Sequence, residues 1–235
     1  DTVEKSNVKV LPDVKANDLT KYYSNSKQYS AKFYNTNGTL LKNTNVKFVL
    51  NNKTYTQKTN KKGVASLSVN LKAGEYTVYA IHPNGYEISN KIIIKPTVSA
   101  SDVTKHFLSS RVFTAKFLDA DGKALSKKYI KFKAHGTKFN IKTNTKGVAK
   151  ISIISDPSTF VITAINTVTG EKLTKTIKIL PTMSAKTMTV FSDVTSKFKV
   201  TLYKDEKLVK DAKVYVYING VKKTAKTNSK GVASV

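Results

Sequence analysis

Thr59-Asn60-Lys61-Lys62-Gly63-Val64-Ala65 recurs as Thr143-Asn144-Thr145-Lys146-Gly147-Val148-Ala149, and again as Thr227-Asn228-Ser229-Lys230-Gly231-Val232-Ala233. Both intervals are 84 residues. A fixed long period marks an array made by duplicating one folding unit. Each unit is long enough to hold its own core, so the array is a string of domains and not a solenoid. The recurring segment reads as a turn. Asparagine bonds its own backbone two residues on, and Gly63, Gly147 and Gly231 supply the positive φ that side-chain-bearing residues resist.

Outward from the turn, apolar residues alternate with period two, the signature of half-buried strands. Before it, Tyr29, Ala31 and Phe33 share a face, as do Phe113, Ala115 and Phe117, then Phe198, Val200 and Leu202. The next inward sets are Val46, Phe48 and Leu50, then Ile130, Phe132 and Ala134, then Val214, Val216 and Ile218. Asn219-Gly220 is a strong two-residue hairpin signal, with Asn51-Asn52 a weaker counterpart. After the turn come Ala65, Leu67 and Val69, then Gly74-Glu75-Tyr76, a step like the tyrosine corner of Greek-key sandwiches. The second repeat has Phe160 at the tyrosine position and loses that hydrogen bond. A last strand carries Ile92 and Ile94, then Ile177 and Ile179. No segment has a helical period. The expected fold is all-β: tandem Ig-like sandwiches of about seven strands each, in an extended, rod-like array.

Proline marks the junctions, at Leu11-Pro12, Lys95-Pro96 and Leu180-Pro181. It fixes φ and biases the preceding residue toward extended backbone, so the linkers are expected to be short and semi-rigid. The expected divisions are residues 1–11, the last strand of a preceding repeat; 12–95, repeat 1; 96–180, repeat 2; and 181–235, a third repeat that stops before its final two strands. The residues missing from the third repeat lie further along a longer array, or another chain completes it by strand exchange.

The formal charge is +26, and Arg111 is the one arginine among 41 basic residues. Proteins that grip phosphates or bases lean on arginine's planar fork, and tryptophan, a base-stacking platform, is absent. The composition therefore argues against nucleic acid and for a lysine-coated surface, which also guards strand edges against aggregation. There is no apolar run long enough to span a membrane. Any signal peptide is removed or lies outside this segment. Without cysteine, disulfides and thiolate metal sites are excluded.

No reaction centre emerges. His82, His106 and His135 share no metal-ligand spacing and read as surface or turn residues. Asp205 and Glu206 are neighbours on extended chain and face apart, a poor acid/base pair. Asp119-Ala120-Asp121-Gly122 approaches a calcium loop but lacks the later glutamate, and Asn35 and Asn37 replace the aspartates one repeat earlier. There is no nucleophile elbow, Walker loop or dinucleotide fingerprint. Lysine–asparagine or lysine–aspartate crosslinks need a buried lysine beside a buried carboxylate, and the lysines mostly alternate outward. No catalytic residue, metal or cofactor is expected. Asn37-Gly38-Thr39 and Asn52-Lys53-Thr54 fit the glycosylation pattern, making Asn37 and Asn52 candidate acceptors in turns of the first repeat.

The ordered set Thr20-Lys21-Tyr22-Tyr23, Ala31-Lys32-Phe33, Thr-Asn-x-Lys-Gly-Val-Ala, Gly74-x-Tyr76-x-Val78-x-Ala80 and Asn166-Thr167-Val168-Thr169-Gly170-Glu171 resembles the Ig-like repeats of adhesin-like surface proteins of methanogenic archaea, within the bacterial Ig-like group. The resemblance covers essentially the whole chain. It implies an extracellular, wall- or membrane-anchored protein whose units form a stalk, fibre or adhesive surface, with further repeats as neighbours; no ligand transfers with it. The expectation is a non-enzymatic cell-surface adhesin-like segment. The alternative is a polycationic module for anionic cell-wall or host polysaccharide.

Overall fold

The computed structural model describes residues 12–190 and 195–235. The strand expected over residues 1–11 lies outside the described residues. The first set of strands is β1 (Val14–Ala16), β2 (Leu19–Tyr22), β3 (Gln28–Phe33), β4 (Asn45–Leu50), β5 (Lys53–Lys58), β6 (Val64–Ser68), β7 (Gly74–Ile81) and β8 (Glu87–Lys95). The second is β9 (Val98–Ala100), β10 (Val103–His106), β11 (Val112–Phe117), β12 (Tyr129–Ala134), β13 (Thr137–Lys142), β14 (Val148–Ser152), β15 (Ser158–Ile165) and β16 (Lys172–Leu180). The third is β17 (Met183–Ala185), β18 (Lys199–Lys204), β19 (Lys207–Leu208), β20 (Lys213–Ile218), β21 (Val221–Lys226) and β22 (Val232–Ser234).

The first two sets are Ig-like β-sandwiches. Each faces a three-stranded sheet, β1-β3-β6 or β9-β11-β14, against a five-stranded one, β2-β8-β7-β4-β5 or β10-β16-β15-β12-β13. The expected seven strands become eight because the opening strand divides. Its first part pairs antiparallel with β3 or β11, and its second pairs parallel with β8 or β16 in the other sheet. The break carries an aspartate whose carboxylate fixes the step: Asp18 Oδ1 accepts from Lys91 N at 2.8 Å, and Asp102 Oδ1 from Thr176 N at 2.7 Å. The strand that changes sheets thus supplies an edge strand to each sheet and joins the two along one side of the sandwich.

The alternating residues do what their period requires. Tyr29, Ala31 and Phe33 of one sheet meet Val46, Phe48 and Ile92 of the other in one core. Phe113, Ala115 and Phe117 meet Ile130, Phe132 and Ile177 in a second. Edge-to-face rings knit each layer, with Tyr29–Phe48 at 5.6 Å and Phe113–Phe132 at 5.5 Å. The third set holds a small core of Val200, Val214 and Ala233. Its β20 pairs with β21 alone among the described residues, whereas β4 and β12 are paired on both edges. Tyr217 and Ile218 stand exposed there.

By compactness the chain divides into two units. One is Asp1–Thr97 with Leu118–Lys123 and Val168–Glu171; the other is Val98–Phe117, Ala124–Thr167 and Lys172–Val235.

Tyr29 gives the first sandwich a pH dependence that the second lacks at this position, where Phe113 stands. Its hydroxyl donates to Asn90 Oδ1 at 2.7 Å. Burial, and secondarily the Asp18 charge, push its ionisation well above the ordinary tyrosine value. The folded value lies above the unfolded one of about 10, so the contribution is complete below that pH and is lost as the pH rises beyond it. Tyr29→Phe is expected to cost about 1 kcal/mol at neutral pH and to flatten the alkaline limb of stability. Urea titrations from pH 8 to 12 check this; equal alkaline losses in both proteins would refute it.

Candidate functional site

The recurring turn is built alike three times. Asn60 Oδ1 accepts from Lys62 N and Val64 N, Asn144 Oδ1 from Lys146 N and Val148 N, and Asn228 Oδ1 from Lys230 N and Val232 N. Gly63, Gly147 and Gly231 follow with φ of 69°, 73° and 66°. Their backbone also leaves little room: a Cβ on Gly63 or Gly147 would lie 2.8 or 2.5 Å from the carbonyl oxygen of Phe33 or Phe117. The threonine opening each segment is buried. Thr59 Oγ1 accepts from Thr44 N, Thr143 Oγ1 from Lys128 N and Thr227 Oγ1 from Ala212 N, at 3.0, 3.0 and 2.9 Å. The motif therefore staples the loop before β4, β12 or β20 to the strand that ends in the turn. Sequence reasoning missed the threonine's part, although its recurrence was the available signal. The lysines of the turn, Lys62, Lys146 and Lys230, are exposed.

Two lysines break the outward rule. Lys21 is 5% exposed and Lys105 3%. Lys21 Nζ donates to Val69 O and Lys27 O at 2.8 and 3.1 Å; Lys105 Nζ donates to Ser109 O and Ile153 O at 2.6 and 3.0 Å. Both occupy the same place in β2 and β10, where two loops turn their carbonyls inward. Burial holds the Lys21 ammonium below the ordinary lysine range. The bonding partners are backbone carbonyls, so these are loop anchors without the carboxylate that an amide crosslink needs.

The aspartates of the candidate calcium loop serve the turn. Asp119 Oδ1 accepts from Asp121 N and Lys123 N at 3.0 and 2.8 Å. This turn belongs to the first compact unit, where Asn25 Nδ2 donates to Ala120 O at 2.8 Å and Asp121 Oδ1 at 2.9 Å. A Cβ on Gly122 would lie 2.1 Å from the Tyr22 ring. The counterpart turn in the second unit carries Asp205 and Glu206. Asp205 Oδ1 accepts from Ser110 N and Oγ, both at 2.9 Å. Glu206 accepts from His106 N at 2.8 Å and meets His106 Nδ1 at 2.9 Å, while the His106 ring stacks on Tyr203 at 4.2 Å. The Ser110 bonds hold the Asp205 carboxyl below its usual range. Burial pushes the Glu206 carboxyl up, but the bonds from His106 and Ser109 outweigh it and leave it lowered. Read as an idle pair in the sequence, these two carboxylates instead tie one repeat's turn to the preceding repeat's residues.

The other candidates fall apart from one another. His82 opens a turn, as expected of a turn residue, with Gly85 N donating to its carbonyl at 2.9 Å, but it is buried: its ring stacks on Phe33 at 6.4 Å and its Nδ1 accepts from Asn84 N. His135 sits in the exposed β12–β13 turn beside Phe160. Asn37 and Asn52 are exposed in turns, with Asn37 Oδ1 accepting from Thr39 N and Oγ1. Tyr76 Oη donates to Lys72 O at 2.9 Å, the bond of a tyrosine corner. Among the described residues no cluster of His, Cys, Asp or Glu could hold a metal, and no helix is long and apolar enough to cross a membrane.

No protein-family model matches the chain, and no curated protein does. Solved structures match the chain at low identity and low TM-score. They include invasin, a bacterial integrin-binding protein, at 13% identity over 93% of this chain and 46% of that one, with a TM-score of 0.33. A titin Ig tandem is 13% identical over 72% and 96%, TM-score 0.29. A Bacteroides ovatus mixed-linkage glucan utilization protein solved with a heptasaccharide is 13% identical over 73% and 47%, TM-score 0.26. The chain spans about half the length of the first and last of these.

Proposed function

We propose that this chain is a non-enzymatic, extracellular segment of a cell-surface, adhesin-like stalk, of the kind the sequence resembles in methanogenic archaea. The carrying observation is the repeated tie between a turn and the preceding repeat's residues: Asn25 on Ala120 and Asp121, then His106 and Ser110 on Glu206 and Asp205. Short proline-marked junctions between repeats suit an extended array, so the function is reach: successive sandwiches would hold an adhesive surface away from the cell. Asn37 and Asn52 are outward acceptors for glycan on such a stalk. A compact globule of this length has a radius of gyration of about 18 Å. Small-angle scattering is expected to give a clearly larger value and an elongated distance distribution; a value near the compact one would overturn the stalk.

A second reading, contact with anionic polysaccharide, is favoured by one observation: basic residues exceed acidic ones by 26, and among the described residues few of them form ion pairs.

A further inference from the structure

We infer that the outward face of the β10-β16-β15-β12-β13 sheet binds a linear acidic polysaccharide; the inference deepens the second reading above and rests on the extracellular setting proposed there. The register lays out the face. Tyr129 stands opposite Lys142, Lys131 opposite Asn140, and Lys133 opposite Lys138. Across the neighbouring strands, Ile165 lies between Lys131 and Lys172, and Thr163 between Lys133 and Thr174. These positions alternate with buried Ile130, Phe132, Ile162 and Ala164, so they share the solvent side.

None of these five strands contains an aspartate or glutamate. Lys133 and Lys138 are paired directly across the strands, an arrangement that repels and costs stability when nothing neutralises it. The corresponding sheet of the first sandwich differs in having carboxylates among its lysines: Glu75 and Glu87 lie on its strands, and Lys91 pairs with Glu75 at 3.6 Å. The lysines of this face are thus not offset by any carboxylate on its own strands. Lysines two apart on a strand are about 7 Å apart and those across strands about 5 Å. That grid suits a polymer with one carboxylate on each sugar ring. Tyr129 adds a flat apolar seat: the residue is 64% exposed and Lys142 Nζ sits 5.9 Å from the centre of its ring. The C–H face of a sugar packs on such a ring while its carboxylate meets the ammonium. Nucleic acid fits less well, since the face has no arginine fork and no slot for stacked bases.

The test uses the full chain and polygalacturonate, with the fully methyl-esterified polymer as its uncharged twin. Lys131→Gln/Lys133→Gln/Lys138→Gln is compared with Lys116→Gln/Lys146→Gln/Lys150→Gln, which removes the same charge from the opposite sheet and turn of the same sandwich. At roughly 0.15 M salt the first triple variant is expected to weaken binding about ten-fold and to flatten its salt dependence. The second is expected to change affinity less than about three-fold, and the esterified polymer is expected not to bind. Equal weakening by both variants would reduce the effect to net charge and overturn the proposal. So would equal binding of the esterified polymer, or tighter binding of single-stranded DNA than of polygalacturonate. Hydrogen exchange over β12 and β13 confirms that each variant is folded. An elongated particle that ignores the polymer sinks this proposal and leaves the stalk; a compact particle that binds it sinks the stalk alone.

Discussion

Phe132→Ala is expected to remove about 3–5 kcal/mol from the second sandwich. Phe132 is wholly buried, and its ring meets Phe113 edge-on at 5.5 Å and Phe117 at 6.1 Å. It belongs to the five-stranded sheet, and both rings it touches belong to the three-stranded one. The substitution therefore opens a cavity in the layer that joins the sheets. An edge-to-face pair adds about 0.5–1.5 kcal/mol beyond buried area, so the Phe113 contact, with the tilted Phe117 ring beside it, places the loss toward the upper end of the range. A domain holds only about 5–15 kcal/mol, so this sandwich would approach its unfolding threshold. Hydrogen exchange resolved by strand is the measurement. Protection should collapse across β11, β12 and β15 and persist in β3, β4 and β7, whose core is a separate cluster. A loss under about 1 kcal/mol would mean that Phe132 does not bridge the sheets.

The same residue shows why the fold was legible. Ile130, Phe132 and Ala134 alternate with lysine and tyrosine, and period two specifies one buried face wherever a second sheet covers it. The 84-residue interval extended that reading to the other copies. Three features were not legible, each for a physical reason. The opening strand changes sheets at Asp18 and Asp102, and a carboxylate that accepts from a neighbouring strand leaves no mark in local hydropathy. Lys21 and Lys105 occupy inward positions behind Leu19 and Val103, yet a lysine signals solvent unless the carbonyls that receive it are known. Those carbonyls belong to residues 6 and 48 positions from Lys21, and 4 and 48 from Lys105. Asp205 and Glu206 were judged as a pair, whereas each acts on a partner about a hundred residues earlier. The candidate binding face was only half legible. Lysine content is visible in composition, but the opposition of Lys133 and Lys138 exists only in the register.

Gly147→Val is expected to destabilise the second sandwich by about 3 kcal/mol or more, from two causes that act together. The backbone there has φ of 73°, a region that costs an ordinary L-residue about 1–2 kcal/mol and a β-branched one more. The position is also closed, because a Cβ would fall 2.5 Å from Phe117 O and 3.0 Å from Leu125 N. Neither atom can yield freely, since Phe117 O accepts from Leu125 N at 3.0 Å and Gly147 O accepts from Phe117 N at 2.8 Å. Gly136→Val separates the two causes. Its φ is 78°, yet nothing lies within 4 Å of a Cβ there, so it carries the backbone strain without the collision. Lys146→Ala, one residue before Gly147 and exposed, changes neither and should be nearly neutral. Urea denaturation of the three variants is expected to rank them Gly147→Val, Gly136→Val, Lys146→Ala in falling cost. Equal costs for the two glycine variants would show that φ alone sets the requirement and that the approach of Phe117 O is incidental. A Lys146→Ala chain that keeps its stability but loses attachment to cells would make the recurring turn a contact surface, and the stalk reading would then give way at that turn.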